Sequence, residues 1–474
     1  MHKITLSGIF LPNDEGMPDL PRISRFVAVP KGAEIKVSVR NMETERLNNV
    51  NIAPALRIQA IPEEPITDYV KNTIVYSKNE FYPQNPVEVS EVTDLRGVNT
   101  VIIGITPFQF NPVTKELVVI NNIDLDIEYI GGTRDFSDQK YRSPWFDPIL
   151  KNAIVNYEAL EDIEYTNEVS RGGTGCEYLI VIPNRTDFQP YAEQVKEFRT
   201  KQGINTKIMR LDEMGVTTTT QLKTFFHNAY NTWDIPPVAV LLMGDHNTNM
   251  ALGIPAETIS HPYSGSCITD NQYADPTGNL LPDMVFGRMA AETPAQLAVL
   301  VSKFIEYETQ PCMDPNYYKN PITALGWQTE RWFQICSEAV GGYWRKMGKT
   351  PVRINAIYSG TPGSSWSTAT NTSTVVNYFG PNGTKYIPAT PTELGGWSGG
   401  TAAQVVTSVN NGAFALQHRD HGFEGGWGEP AFQTSNISQL NNVGKMTYVF
   451  TINCLTGKFN HTSPCFGEVF HRYT

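Results

Sequence analysis

The chain has 474 residues, with 37 basic against 48 acidic side chains, a net charge of −11 and six cysteines. That length predicts two or three domains. The acidic balance, with no basic tract, argues against a nucleic-acid or anionic-membrane binder; no apolar run approaches the roughly 20 residues a bilayer span needs, and "MHKITLSGIF" lacks a signal-peptide core, so an exported protein would already have lost its signal.

Residues 1–132 alternate apolar and polar side chains in runs such as "FVAVPKGAEIKVSVRN" and "ELVVINNIDLDIEYI", which predicts an all-β, sandwich-like domain. Over residues 133–171 that pattern dissolves. "GGTRDFSDQKYRSPWF", a short helix around Ile149–Tyr157 and the acidic "EALEDIEYTNEVSRGG" predict an exposed linker. From residue 172 strands alternate with helices: "EYLIVIP" precedes "FQPYAEQVKEFRTKQG", and "QLKTFFHNAYNTW" precedes "VAVLLMG". The series continues through "DMVFGR", the helix "PAQLAVLVSKFIEYE", "PITALG", a helix over Thr329–Met347, "RINAIY", "AFALQH" and "MTYVFTIN". This predicts an α/β fold, a mainly parallel sheet flanked by helices, in two parts over 172–320 and 321–474.

Sites in such sheets collect at the carboxyl ends of strands. Two late strands end on reactive side chains, His421-Gly422 after one and Cys454 after the next. As parallel neighbours joined by a crossover they would emerge at one edge. The imidazole would take the thiol proton, and the amides of Gly422 and Cys454 would hold an oxyanion. The rival reading is packing, since an unpaired cysteine is a small hydrophobe, and a bridge from Cys454 to Cys465 would remove the nucleophile. Thiol titration distinguishes them.

The stretch "HGFEGGWGEPAFQTSNISQLNN", continued by "YVFTINCLTGKFNHTSPCFGEVFHR", resembles the gingipain family of cysteine peptidases on His421-Gly422, Trp427, Cys454, Phe459 and Pro464-Cys465-Phe466-Gly467-Glu468. "YLIVIP", "LLMGDH", "FGRM" and "PRISRFVAVPKGA" extend the likeness upstream. The resemblance implies a bacterial, secreted or cell-surface protein with a caspase-like α/β catalytic domain, Cys454 as nucleophile and His421 as general base and acid. Residues 1–171 would be an inhibitory prodomain that masks the strand ends until the linker carrying Glu164, Glu168 and Arg171 is cut, and that remains bound after nicking. The family's third catalytic residue is an acid after the strand that here reads "PITALGW". The simplest alignment puts Gln328 there, and Glu330, two positions on, is the carboxylate expected to orient His421. Catalysis would need no cofactor. Structural calcium is common in the family, and Asp270, Asp275 and Asp283 are its candidate ligands here, although the Asp-x-Asp-x-Asp-Gly loop is absent.

For specificity, Arg419 lies two residues before His421, shares its strand face, and would pair with an acidic P1 side chain where the Arg- and Lys-cleaving relatives carry a small hydroxyl residue. Glu338, near the specificity acid of the arginine-specific relatives, would instead favour a basic one. Asp245-His246 at another strand end reads as a turn cap. Expected partners are protein or peptide substrates, the protein's own prodomain, and a C-terminal chain of the same precursor. The leading function is a secreted cysteine endopeptidase made as a latent zymogen. A sortase-like transpeptidase of a bacterial secretion pathway and an inactive surface binding protein are the alternatives.

Overall fold

A computed structural model describes residues 1–57, 70–163, 174–261 and 265–474; Glu164, Glu168 and Arg171 lie outside the described residues. In the N-terminal region β1 (Ile23–Ala28) pairs antiparallel with β3 (Val98–Ile105), and the long β2 (Ala33–Leu47) with β4 (Glu116–Gly131). Period-two alternation gives each pair one apolar face. Val27, Val29, Val101 and Ile103 from one sheet meet Ile35, Val37, Ile123 and Leu125 from the other, forming a sandwich core.

Residues 133–163 correct the expectation of an exposed linker. A helix, α1 (Asp147–Ala153), starts two residues earlier than predicted, and Phe146, Leu150, Ile154 and Leu160 pack with Ala28, Leu95, Val98 and Val238. Arg142 and Asp147 form a buried ion pair, and Glu161 accepts from the Phe136 amide and the Ser137 hydroxyl, each at 2.6 Å. The apolar residues hidden among the polar ones bury this segment against both the β-sandwich and the domain that follows.

That domain contains two four-stranded parallel sheets. In the first, β5 (Tyr178–Ile182), β6 (Thr206–Arg210), β7 (Ala239–Met243) and β8 (Val285–Met289) run in the order β8-β7-β5-β6. Alternate residues serve opposite layers: Ile180, Ile182 and Met243 pack against α2 (Gln189–Lys201) and α4 (Pro294–Thr309), while Leu179, Val181 and Leu242 pack against α3 (Thr219–Thr232).

In the second sheet β9 (Ile322–Gln328), β10 (Val352–Ser359), β11 (Ala415–Arg419) and β12 (Tyr448–Ile452) run in the order β10-β9-β11-β12. Every residue of the central β9 is buried, as expected of a strand covered on both faces. On one side Leu325 and Trp327 pack against Ile335 and Ala339 of α5 (Phe333–Lys346). On the other, Ile322, Ala324 and Leu416 pack against Val405 and Val409 of α7 (Ala402–Asn411) and Phe466 of α8 (Phe466–Arg472), leaving α6 (Thr372–Phe379) beside α5. Arg472 ties α8 to the first sheet by bonding Asp245 at 2.7 Å, while the other Asp245 oxygen accepts the His246 amide, also at 2.7 Å.

Among the described residues the β-sandwich touches the α/β domain at two separate places. Arg96, 1% exposed and held at φ 48°, donates its amide to Asp283 at 2.7 Å and its guanidinium to Pro237 O at 3.0 Å, with Phe146 and Tyr230 against its charge. Near the chain start, Phe10 stacks on Phe379 (5.9 Å) and meets Tyr378 edge-on (5.3 Å), its carbonyl accepts from Asn371 Nδ2 (3.1 Å), and Lys3 donates to Asn371 Oδ1.

Candidate active site

Strands β11 and β12 are parallel, and their register pairs Arg419 with Ile452. His421 and Cys454 each follow two residues later, so both step off the same sheet edge at matching positions. The backbones stay together beyond the strands: a Cβ added to Gly422 would lie 2.7 Å from Asn453 Cγ and 2.8 Å from Cys454 O. Only glycine fits between the histidine and the nucleophile loop.

Strand alternation sorts the neighbours onto two faces. Asn453 and Thr451 face His418, which is fully buried and stacked on Trp427 with ring centroids 3.9 Å apart. His418 Nε2 donates to Glu429 O at 3.1 Å, so its Nδ1 accepts from Asn453 Nδ2 at 3.2 Å; burial pushes this imidazole down to about 3, and it stays neutral. Asn453 also donates to Thr451 Oγ1 (3.0 Å) and accepts from Thr456 Oγ1 (2.6 Å). Cys454, exposed on the opposite face, is thereby carried on a loop pinned from both sides. His418 and Asn453 were not singled out from sequence, because a histidine inside "AFALQH" is indistinguishable from a core one.

His421 lies between Phe333 (5.2 Å, edge-on) and Tyr358 (4.6 Å). Its Nε2 is 2.7 Å from Gln328 Oε1; a carbonyl oxygen only accepts, so Nε2 carries the hydrogen and Nδ1 is the basic nitrogen. This corrects the expectation for Glu330: the side chain reaching His421 is Gln328, the last residue of β9, whereas Glu330 has passed beyond the strand into the turn that lines a neighbouring cleft. Asp420, 1% exposed, accepts the Glu429 amide at 2.6 Å and also bonds the His421 amide. Its carboxyl fills the space over Gly326, where a Cβ would sit 2.3 Å from Oδ2. Burial raises it to about 7.

Arg419 lies on the Cys454 face. Its Nη1 donates to Ile452 O at 2.8 Å, its guanidinium stacks 4.3 Å from the Phe333 centroid and also meets the Cys336 thiol. Glu338 takes no part in this site: 1% exposed, it bonds Arg353 at 2.6 Å and Asn355 at 3.3 Å. Arg353 pairs in register with Thr323, about 16 Å of strand away from Gln328. The three candidate calcium ligands do not converge either. Asp270 is bidentate to Arg288 (2.7 and 2.8 Å), Asp275 accepts the turn amides of Gly278, Asn279 and Leu280, and Asp283 receives Arg96. Among the described residues no group of three His, Cys, Asp or Glu side chains could hold a metal ion. All six cysteines are free, Cys454 and Cys465 included, and no helix among the described residues is long and apolar enough to cross a membrane.

A free thiol and an imidazole that step off one sheet edge at matching positions are the pair a covalent nucleophile needs. The family models agree: residues 172–474 match Peptidase family C25 and residues 2–163 match Propeptide_C25, so the chain belongs to peptidase family C25 and carries its propeptide. Among curated relatives, Lys-gingipain of Porphyromonas gingivalis is 23% identical over 99% of this chain and 25% of its own length. Gingipain R1 of the same species is 25% identical over 97% of this chain and 42% of its own. The chain thus spans under half the length of either relative. The crystal structure of the Arg-specific cysteine proteinase gingipain R aligns at 18% identity with a TM-score of 0.47, covering 63% of this chain and 59% of that one.

Proposed function

We propose that this chain is a latent cysteine endopeptidase precursor, with Cys454 as nucleophile, His421 as general base and acid, and residues 1–163 as its inhibitory prodomain. The observation that carries the reading is the β11–β12 register, which brings His421 and Cys454 off one sheet edge with Gly422 closing the gap between their backbones. Nδ1 of His421 takes the thiol proton, and the thiolate attacks the scissile carbonyl. The amides of Gly422 and Cys454 hold the tetrahedral oxyanion. Collapse expels the amine, which leaves with the imidazolium proton, and a thioester remains on Cys454. Water, deprotonated by the same nitrogen, then releases the acid product and the thiol. Gln328 keeps the imidazole in the productive tautomer; being an amide, it adds no charge to the imidazolium.

The family membership and the prodomain's seat support latency: its Met1–Pro12 segment borders the cleft shared by Arg419, Phe333 and Glu330. Export from the cell and cleavage within residues 164–173 belong to the same proposal. The test is Cys454→Ala and His421→Ala in the precursor after the linker is nicked. Each should lose at least about a hundredfold in kcat with the fold intact. Activity retained in either variant refutes the assigned roles.

A further inference from the structure

Cys454 is followed by a turn that a leucine does not favour. The Thr456 amide donates to Cys454 O at 2.8 Å, closing three residues around Leu455, which is held at φ 62°. A residue with a Cβ is strained in that left-handed region, so such a turn persists only where its surroundings fix it. The Leu455 side chain does not supply the hold, being 43% exposed. Asn453 does, from the face turned away from the thiol. Its amide has one orientation: His418 Nε2 donates to Glu429 O, so Nδ1 accepts from Asn453 Nδ2 at 3.2 Å, and Asn453 Oδ1 is left for the Thr456 hydroxyl at 2.6 Å. Thr456, buried, is fixed in turn, because its carbonyl accepts the amide of Gly467 in the first turn of α8 at 2.8 Å. One side chain thus joins the residue before the nucleophile to the second residue after it, and ties both to buried groups of β11 and α8.

Resting on the peptidase reading above, we infer that Asn453 is a positioning residue for the nucleophile: it clamps the strained turn that fixes where the Cys454 thiol and amide stand. Both groups ride on the same short piece of backbone, so a turn that relaxes moves the thiol away from His421 and the amide away from the oxyanion together. A displacement of about 1 Å at such a centre costs on the order of a hundredfold in rate. Asn453 faces His418 and Thr456, not the reacting atoms, so it carries neither proton nor charge in the reaction and acts through geometry alone. An amide suits this place because His418 is neutral and offers a lone pair; the isosteric aspartate would set an acceptor against an acceptor.

The experiment follows hydrolysis of fluorescein-labelled casein by the nicked full chain, with kcat expressed per Cys454 thiol that iodoacetamide labels, read by peptide mass spectrometry. Asn453→Ala should lower kcat at least about tenfold and leave KM within about twofold. Adding Leu455→Gly to that variant should recover about threefold or more, because glycine takes a positive φ without strain and the turn then needs less holding. If Asn453→Ala fails to fold, Thr456→Val removes the hydroxyl that Asn453 accepts at nearly constant volume and should lower kcat about threefold or more. An unchanged kcat per labelled thiol in the folded variant, whatever its melting temperature, overturns the positioning role and leaves the peptidase reading standing; so does a loss that Leu455→Gly leaves untouched. A parent chain that hydrolyses nothing although its Cys454 is labelled overturns the peptidase reading, and the clamp with it.

Discussion

Phe10→Ala should loosen the prodomain, and the structure sets the size of the effect. The ring is half-buried against the core formed by Trp327, Ile335, Val375 and neighbouring aromatics, and makes two ring contacts at 5.3 and 5.9 Å. Half the burial of a phenylalanine contributes about 1.5 kcal/mol, and the aromatic pairs about 0.5 kcal/mol more. A loss of about 2 kcal/mol weakens binding about thirtyfold. The assay nicks the precursor, dilutes it, and follows the activity that appears as the prodomain dissociates. Leu11→Ala is the control, since that side chain is 74% exposed and should change release little. A change below about threefold in Phe10→Ala would refute the view that the chain's first residues anchor the prodomain.

Gly422→Ala should leave the protein folded and abolish turnover, because the new methyl would sit 2.7 Å from Asn453 Cγ and force the nucleophile loop away; normal kcat would contradict the assigned approach. Asp420→Asn should flatten part of the pH dependence of stability. The folded carboxyl is raised to about 7, so its contribution is complete below about pH 4 and is lost as pH rises through 7. Thermal melts at pH 5 and pH 8 should therefore differ less in the variant than in the parent, and an equal difference would count against the buried, protonated state.

Much of this site was legible because strand alternation and parallel pairing are strong constraints. Once "AFALQH" and "YVFTIN" were strands of one sheet, the face shared by Arg419, His421 and Cys454 followed from parity alone. What failed was reasoning from charge without register. Glu330 was preferred over Gln328 because a carboxylate suits an imidazolium, yet β9 ends at Gln328 and the hydrogen bond goes there. Residues 133–163 looked solvated because their acids are conspicuous, while Phe146, Leu150 and Ile154 decide their burial. Likewise Asp270, Asp275 and Asp283 lie close together in the sequence, but only the fold reveals that an arginine, a turn and the prodomain have already engaged them.

The two attachments of the β-sandwich, at Arg96 on the first-sheet side and Phe10 on the second, bear on how long latency outlasts the cut. A body held at two points does not leave when one of them opens, because the intact contact keeps the loose one at a high effective concentration and it closes again. Scission of the chain then starts a clock. The delay before activity is set by the chance that both contacts are open together, so weakening either one shortens it, and a precursor cut early can travel some distance before it bites.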